Sequence, residues 1–440
     1  MTTTAASPLL GMAVRKAMLR IIPFLFVCYI IAFLDRVNVS YASLTMNADI
    51  GLSDAAYGLG AGIFFIGYFL FEVPSNLLLK RFGARVWICR IMVTWGILST
   101  AMALVSNEWF FYVLRFLLGV AEAGFFPGVI LYLATWFPQH QRGRATALFM
   151  MAIPLSGLLG APLSGWILSL DGMWNLAGWQ LLFVLEGIPA IVVGILVLVL
   201  LPASPRNVKW LTADECAALS DVLAAEATAT EKTGGHTLRD GLRTPLVWWL
   251  SLAYFGTVAS LLGLGFWLPK MVEEIAHQGT TATTWITAIP YLFAAVVMVL
   301  VASSSDKRGE RRLHTAIPAF VAAVSLVASA FVTEPVIAIG LLCLVAAGIY
   351  GCNGTFWTIP SARLTGTAAA AGIAVINSIG NLGGFVGPFA LGWVRETTGS
   401  NQLGLLFLAA LALIAAAILY TVGPRRHVAH VDRSLEGVNS

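Results

Sequence analysis

The sequence predicts an all-α membrane protein with twelve spans arranged as two pseudo-symmetric six-helix bundles, and three observations carry that prediction. Composition is the first: of 440 residues, 58% are hydrophobic and only 11% are charged, and the mean hydropathy is +0.84. A soluble globule carries about 25% charged residues, so this chain has too little charge to cover a surface facing water on all sides. A soluble enzyme, a disordered chain and a collagen-like fibre are all excluded. Spacing is the second observation. A bilayer-crossing helix uses ~20 apolar residues, and such stretches run over 21–44, 56–79, 87–106, 109–132, 145–168, 179–201, 246–268, 283–304, 314–332, 336–358, 370–393 and 403–422. The third is an internal repeat whose two copies lie either side of one polar stretch.

Taken in order, the first stretch follows Arg15, Lys16 and Arg20 in the manner of a signal peptide. It runs past twenty residues, contains Asp35 and Arg36 and lacks a small-residue cleavage site, so it is read as a retained helix. The second ends in a basic loop, Lys-Arg-Phe-Gly-Ala-Arg at 80 to 85, and the third and fourth carry Arg90 and Arg115. The fifth ends in Gly-Ala-Pro-Leu-Ser-Gly-Trp at Trp166, and the sixth stops at Leu-Pro-Ala-Ser-Pro, 201 to 205. Residues 202–245 are polar and are read as a linker loop, dividing the chain into 1–201, 202–245 and 246–440.

The second half repeats the marks of the first. Gly83 is answered by Gly309 in Asp-Lys-Arg-Gly-Glu-Arg-Arg, 226 residues on; Trp166 by Trp393, 227 on; and Pro127 by Pro360, 233 on. Agreement of two pairs within one residue indicates a duplication. Two parallel six-helix halves joined by a long loop form the architecture of transporters whose substrate site lies at the midplane between halves, here between spans 1, 4 and 5 and spans 7, 10 and 11. The basic Gly-containing loops are expected to clamp neighbouring helix ends.

The net charge of +4 carries its meaning in its distribution. Lys270 and Arg395 lie in the odd-numbered loops and Arg36, Arg90 and Arg115 in spans; every other Lys and Arg lies in the N-terminus, the even-numbered loops or the C-terminus. The positive-inside rule then places both termini in the cytoplasm. Bases scattered through short loops give no footprint for nucleic acid. Five cysteines, four of them in spans (Cys28, Cys89, Cys343, Cys352), form no disulfide framework. The six histidines have no second ligand nearby, so no metal and no cofactor are expected.

Charges inside a bilayer cost ~2.5–3.5 kcal/mol each at a helix centre and persist when paired or useful. Asp35 and Arg36 lie deep in the first span, Arg115 and Glu122 in the fourth. Seven residues turn a helix by about 700°, so Arg115 and Glu122 share a face roughly 10 Å apart, too far to pair directly. Partners must come from another helix, and the first span offers one charge of each sign. Arg36 can bind an anion while staying charged at any working pH, and Asp35 and Glu122 are the span-centre groups able to exchange protons. Glu72, two residues before Pro74, and Glu186, ahead of Pro189, read as structural hydrogen-bonders to freed backbone groups. Trp109, Trp136, Trp166, Trp179, Trp248, Trp249, Trp267 and Trp285 read as interfacial anchors, and the glycines 157, 160, 165, 380, 383, 384 and 387 as close-packing positions.

The first-span Asp-Arg-x-Asn, the stretch Gly67-Tyr68-Phe-Leu-Phe-Glu72-Val-Pro74 and the run from Arg115 to Gly128 resemble the anion:cation symporter family of the major facilitator superfamily. The likeness covers about residues 20 to 422 and lies nearest bacterial permeases for tartrate, phthalate and 4-hydroxyphenylacetate, with charged residues similar to those of the D-galactonate transporter. It implies the major facilitator fold and proton-coupled symport of a small organic carboxylate across the inner membrane by a monomer. Asp35 and Glu122 would handle protons, Arg115 would pair with them, Arg36 would hold the substrate carboxylate, and Tyr68, Trp357 and Asn377 would line the site. Gly354 and Phe356 replace the small hydroxyl positions of the sugar-acid transporter, which favours a shorter or flatter acid. Exchange or efflux would use the same fold. An intramembrane enzyme would need a nucleophile with a base, or a metal cluster, and neither motif is found; a ligand sensor would need a signalling domain that tails of about 20 residues are not expected to hold.

Overall fold

Runs of apolar residues uninterrupted by charge become helices in lipid because each backbone N–H and C=O must be satisfied within its own segment. The computed structural model describes residues 8–232, 244–363 and 367–423, and twelve of its helical segments are long and apolar enough to cross a membrane. The first six spans are α1 (Pro8–Ile50), α2 (Asp54–Phe82), α3 (Ala84–Ala101), α4 with α5 (Glu108–Glu122, Phe125–Ala134), α6 with α7 (Gln139–Met150, Ala152–Leu168) and α8 (Gly178–Leu200). An amphipathic helix, α9 (Ala213–Lys232), occupies the linker that the sequence reads as a loop. Spans seven to twelve are α10 (Pro245–Ala276), α11 (Thr280–Arg308), α12 (Arg312–Ser329), α13 with α14 (Pro335–Phe356, Thr358–Arg363), α15 with α16 (Thr367–Asn381, Gly383–Thr398) and α17 (Gln402–Val422). Linker residues 233–243, including Arg239 and Asp240, and the basic tail beyond 423 lie outside the described residues. The outer faces are apolar, with Leu70, Val73, Leu77, Val199, Leu300 and Phe331 turned outward, the reverse of a soluble bundle.

Local chemistry sets the ends. The Ser53 hydroxyl oxygen accepts from the Ala56 amide at 3.2 Å to start α2, Asn107 caps α4 at 2.9 Å, and Glu334 caps α13 at 2.7 Å. Gly83 and Gly309, the repeated glycines, close α2 and α11 with φ of 83° and 60°, a backbone that side chains resist. The arginines after them, Arg85 and Arg312, each clasp the last span of their own half: Arg85 donates to the Leu198 carbonyl, and Arg312 lies 3.8 Å over the Tyr420 ring. These clamps therefore work within a half. The paired prolines mark the broken spans. Pro127 has no N–H for the carbonyl four residues back; that carbonyl, of Ala123, accepts instead from the Ser75 hydroxyl at 2.6 Å. Pro360 stands in the same relation to Phe356, where α13 ends.

The halves meet along α2 against α16 and α7 against α11. On the face away from the linker this seam is tight: a Cβ on Gly58 would lie 2.7 Å from the Pro388 carbonyl oxygen and 3.1 Å from Gly392. Ion pairs tie the same end, Asp54 accepting from Lys270 and, at 2.6 Å, from Arg395, which also pairs with Glu274. On the linker face, α9 docks on the first half through Lys16–Glu215 at 2.7 Å and Arg142–Glu226 at 3.0 Å, with Trp210 stacked on Trp136. Three of the expected interfacial tryptophans are buried instead. Trp136 packs under the linker, the Trp179 indole donates to Asp49 at 2.7 Å, and that of Trp267 donates to the Pro388 carbonyl at 3.1 Å. Helix-end position alone does not separate an anchor from an inter-helix wedge, since both sit near the interface.

Candidate functional site

Consecutive helical residues point about 100° apart, so Asp35 and Arg36 serve different neighbours. Asp35 turns into the first bundle, where it accepts from the Ser99 hydroxyl of α3 and, at 3.3 Å, from the Asn38 amide. Arg36 turns toward the fourth span and forms an ion pair with Glu122, whose side chain is only 3% exposed. Three rings enclose the guanidinium: Phe33, Phe64 and Tyr68, with centroids 5.0, 5.6 and 5.7 Å from its Cζ. Glu122 ends α4, where Gly124 turns left-handed with φ 87°. A carboxylate at a helix C-terminus meets the negative end of the helix dipole, which makes a cation partner the more necessary. Arg36 supplies it, while its own Nε is buried with no hydrogen-bond partner among the described residues.

Arg115 lies elsewhere than the resemblance implies. Its Nε and Nη2 donate to the carbonyls of Gly60 and Ala61 at 3.2 and 3.3 Å, and its Cζ stands 5.1 Å from the Phe64 ring. Neither Asp35 nor Glu122 lies within ion-pair distance of it. The cause is close helix packing: a Cβ on Gly119 would stand 1.9 Å from the Phe64 carbonyl oxygen, so α4 presses on α2 and brings the guanidinium onto that helix's carbonyls. The separation from Glu122 follows from the seven-residue spacing already noted.

Trp357 and Asn377, the residues expected on the opposite wall, lie in the second half. Trp357 stands at the α13–α14 break, its ring centroid 4.9 Å from that of Tyr254. Asn377 of α15 donates to Glu72 of α2 at 2.9 Å. Tyr68 adjoins Arg36 as expected, whereas no direct contact joins Arg36 to Trp357 or Asn377. Glu72 is the residue that sequence reasoning misjudged: it bonds across the halves rather than to backbone freed by Pro74, and its position four residues after Tyr68, on the same helical face, is the signal that locates it. Glu186 accepts from the Ser164 hydroxyl at 3.2 Å, again a side-chain partner.

The site is thus a paired arginine and carboxylate beneath three aromatic rings of the first half. Residues 25–388 match the Major Facilitator Superfamily. The chain belongs to that superfamily. Among relatives of this major facilitator protein, one from Agrobacterium vitis with the provisional name tartrate transporter is 50% identical, the match covering 92% of this chain and 90% of the relative. A quinolone resistance transporter of Acinetobacter baumannii is 41% identical over 93% and 94%. The xylose transporter XylE of Escherichia coli shares the fold at a TM-score of 0.74, with 18% identity over 93% of this chain and 98% of its own. This is a multi-pass membrane transporter of the major facilitator fold, and its relatives are transporters rather than enzymes.

Proposed function

We propose that this protein is a proton-coupled symporter that takes up a small organic carboxylate, a tartrate-like hydroxy acid or a related aromatic acid, across the inner membrane with both termini cytoplasmic. The observation that carries the reading is the enclosed Arg36–Glu122 pair. A part-buried guanidinium held by a buried carboxylate is an anion site with an internal competitor: a substrate carboxylate must displace Glu122, and an ionised, buried Glu122 left unpaired is costly. Protonation of Glu122 removes that cost, so proton and anion binding favour one another. Charge sorting supports the orientation, and the name of the Agrobacterium vitis relative supports the substrate class.

In this mechanism Arg36 binds the anion, with Tyr68, Trp357 and Asn377 as walls. Glu122 is the carrier tied to binding, and Asp35, held by Ser99 away from Arg36, is a second proton site inside the first half. Arg115 is a fixed positive charge on the carbonyls of α2. Two protons move one positive charge inward with a monoanion and none with a dianion such as tartrate, so two working acids predict that an interior-negative potential stimulates uptake of a monocarboxylate and leaves that of tartrate unchanged. Reconstituted protein should accumulate tartrate when the outside is acidified. Glu122→Gln should still exchange it across the membrane and fail to concentrate it; accumulation persisting in that variant would remove Glu122 as the carrier. Efflux is the second reading, favoured by the quinolone resistance relative; accumulation of a quinolone, and not of tartrate, in inverted vesicles would establish it.

A further inference from the structure

The buried carboxylates of the first half find partners there, with one exception. Asp35 is held by Ser99 and Asn38, Glu122 by Arg36 and Glu186 by Ser164, while Glu72 bonds to Asn377 of the second half. Only its Oε1 is used. Oε2, like that of Glu186, is buried with no hydrogen-bond partner among the described residues, but of the two it is Glu72 that bonds to the second half. An unpaired buried acceptor carries a desolvation cost until a donor reaches it.

We propose that Glu72 and Asn377 set specificity by reading a hydroxyl of the substrate, selecting hydroxylated short carboxylates over their deoxy counterparts. The proposal rests on Arg36 as the anion ligand. Tyr68 and Glu72 share one face of α2, about 6 Å apart along the axis, and the Tyr68 ring lies against Arg36. A molecule whose carboxylate sits on Arg36 and whose chain runs along this face past Tyr68 presents its adjoining carbons to Glu72. An ionised carboxylate only accepts, and an amide nitrogen donates two protons, so a hydroxyl fits between them: its proton goes to Glu72 Oε2, and its lone pair takes the second Asn377 proton. A second carboxylate placed there would meet like charge, and a methylene would leave Oε2 unpaired.

Malate and succinate differ by one hydroxyl and test the proposal on the full-length purified protein by competition binding. Wild type should bind malate about ten- to a hundredfold more tightly than succinate, the range for a hydrogen bond to a charged group. Glu72→Ala should bring that ratio to within about twofold by weakening malate alone, and Glu72→Gln, which keeps shape and one acceptor, should retain part of it. Arg36→Lys should weaken both acids and leave the ratio. A wild-type ratio near one, or a ratio that survives Glu72→Ala, overturns the proposal while leaving the Arg36 site standing. Binding of neither acid, nor of tartrate, to wild type overturns both.

Discussion

The first half buries Asp35, Glu72, Arg115, Glu122 and Glu186, whereas the buried polar side chains of the second half, among the described residues, are all hydroxyls, Ser251, Thr287 and Thr355 among them. The halves share helix order, glycine caps and proline breaks, so the duplicated scaffold does not dictate this difference. A hydroxyl can be satisfied within its own helix: Ser251 donates to the Val247 carbonyl and Thr287 to that of Thr283, both at 2.7 Å. Charges cannot be satisfied in that way and must find partners on other helices, as Arg36 finds Glu122. The first half therefore carries the buried charges and their inter-helix partners, and the second half, among the described residues, carries none.

Arg36→Lys is the strongest way to break this asymmetry. It keeps the charge and loses the planar fork, so affinity for the carboxylate should fall by at least tenfold, read by isothermal titration; unchanged affinity would take Arg36 out of the site. Asp54→Asn should act more weakly and on the seam instead, since it removes the anion shared by Lys270 and Arg395. Part-exposed ion pairs are worth about 0.2–1 kcal/mol each, so hydrogen exchange of the α2 and α16 amides at the end away from the linker should speed up a few-fold, and an unmoved rate would mean the glycine packing alone closes that end. Smaller again is Thr355→Val in the second half, which deletes a hydroxyl accepting from Thr315 at 2.9 Å; stability should drop by about 1 kcal/mol with transport changed less than twofold. A large transport defect there would mean that the second half carries chemistry after all.

The linker gives the finest test. The Lys16 ammonium beside Glu215, with the Thr212 amide, holds the Glu215 carboxyl below its usual range. A depressed carboxyl contributes stability in full above its unfolded value, about 4.3, and loses it as pH falls through the depressed folded value. The melting-temperature gap between wild type and Glu215→Gln should therefore hold steady from pH 7 to about pH 5.5 and shrink on further acidification. A gap indifferent to acid would show that the pair does not secure α9.

Much of this was legible from residue order. Span number and the duplicated glycines and prolines follow from composition and spacing, because a helix in lipid is fixed by its own segment. Asp35, Arg36, Arg115 and Glu122 stood out because charge within an apolar run is locally visible. The helix α9 was missed because its alternating polar and apolar residues have no lipid-length signature, and it is positioned by docking on the first half.

Only the tertiary structure decided which charges meet. Arg36 and Glu122 lie 86 residues apart and Glu72 and Asn377 305 apart, and no local period encodes the rotation of one helix against another. That rotation is set by how closely backbones approach: Gly119 against Phe64 sends Arg115 to carbonyls, and the seam of α2 with the second half gives Glu72 a partner its own helix could not supply. Sequence determined where the charges are, since each is costly within its own span; packing determined their partners, since pairing is a property of distances between spans.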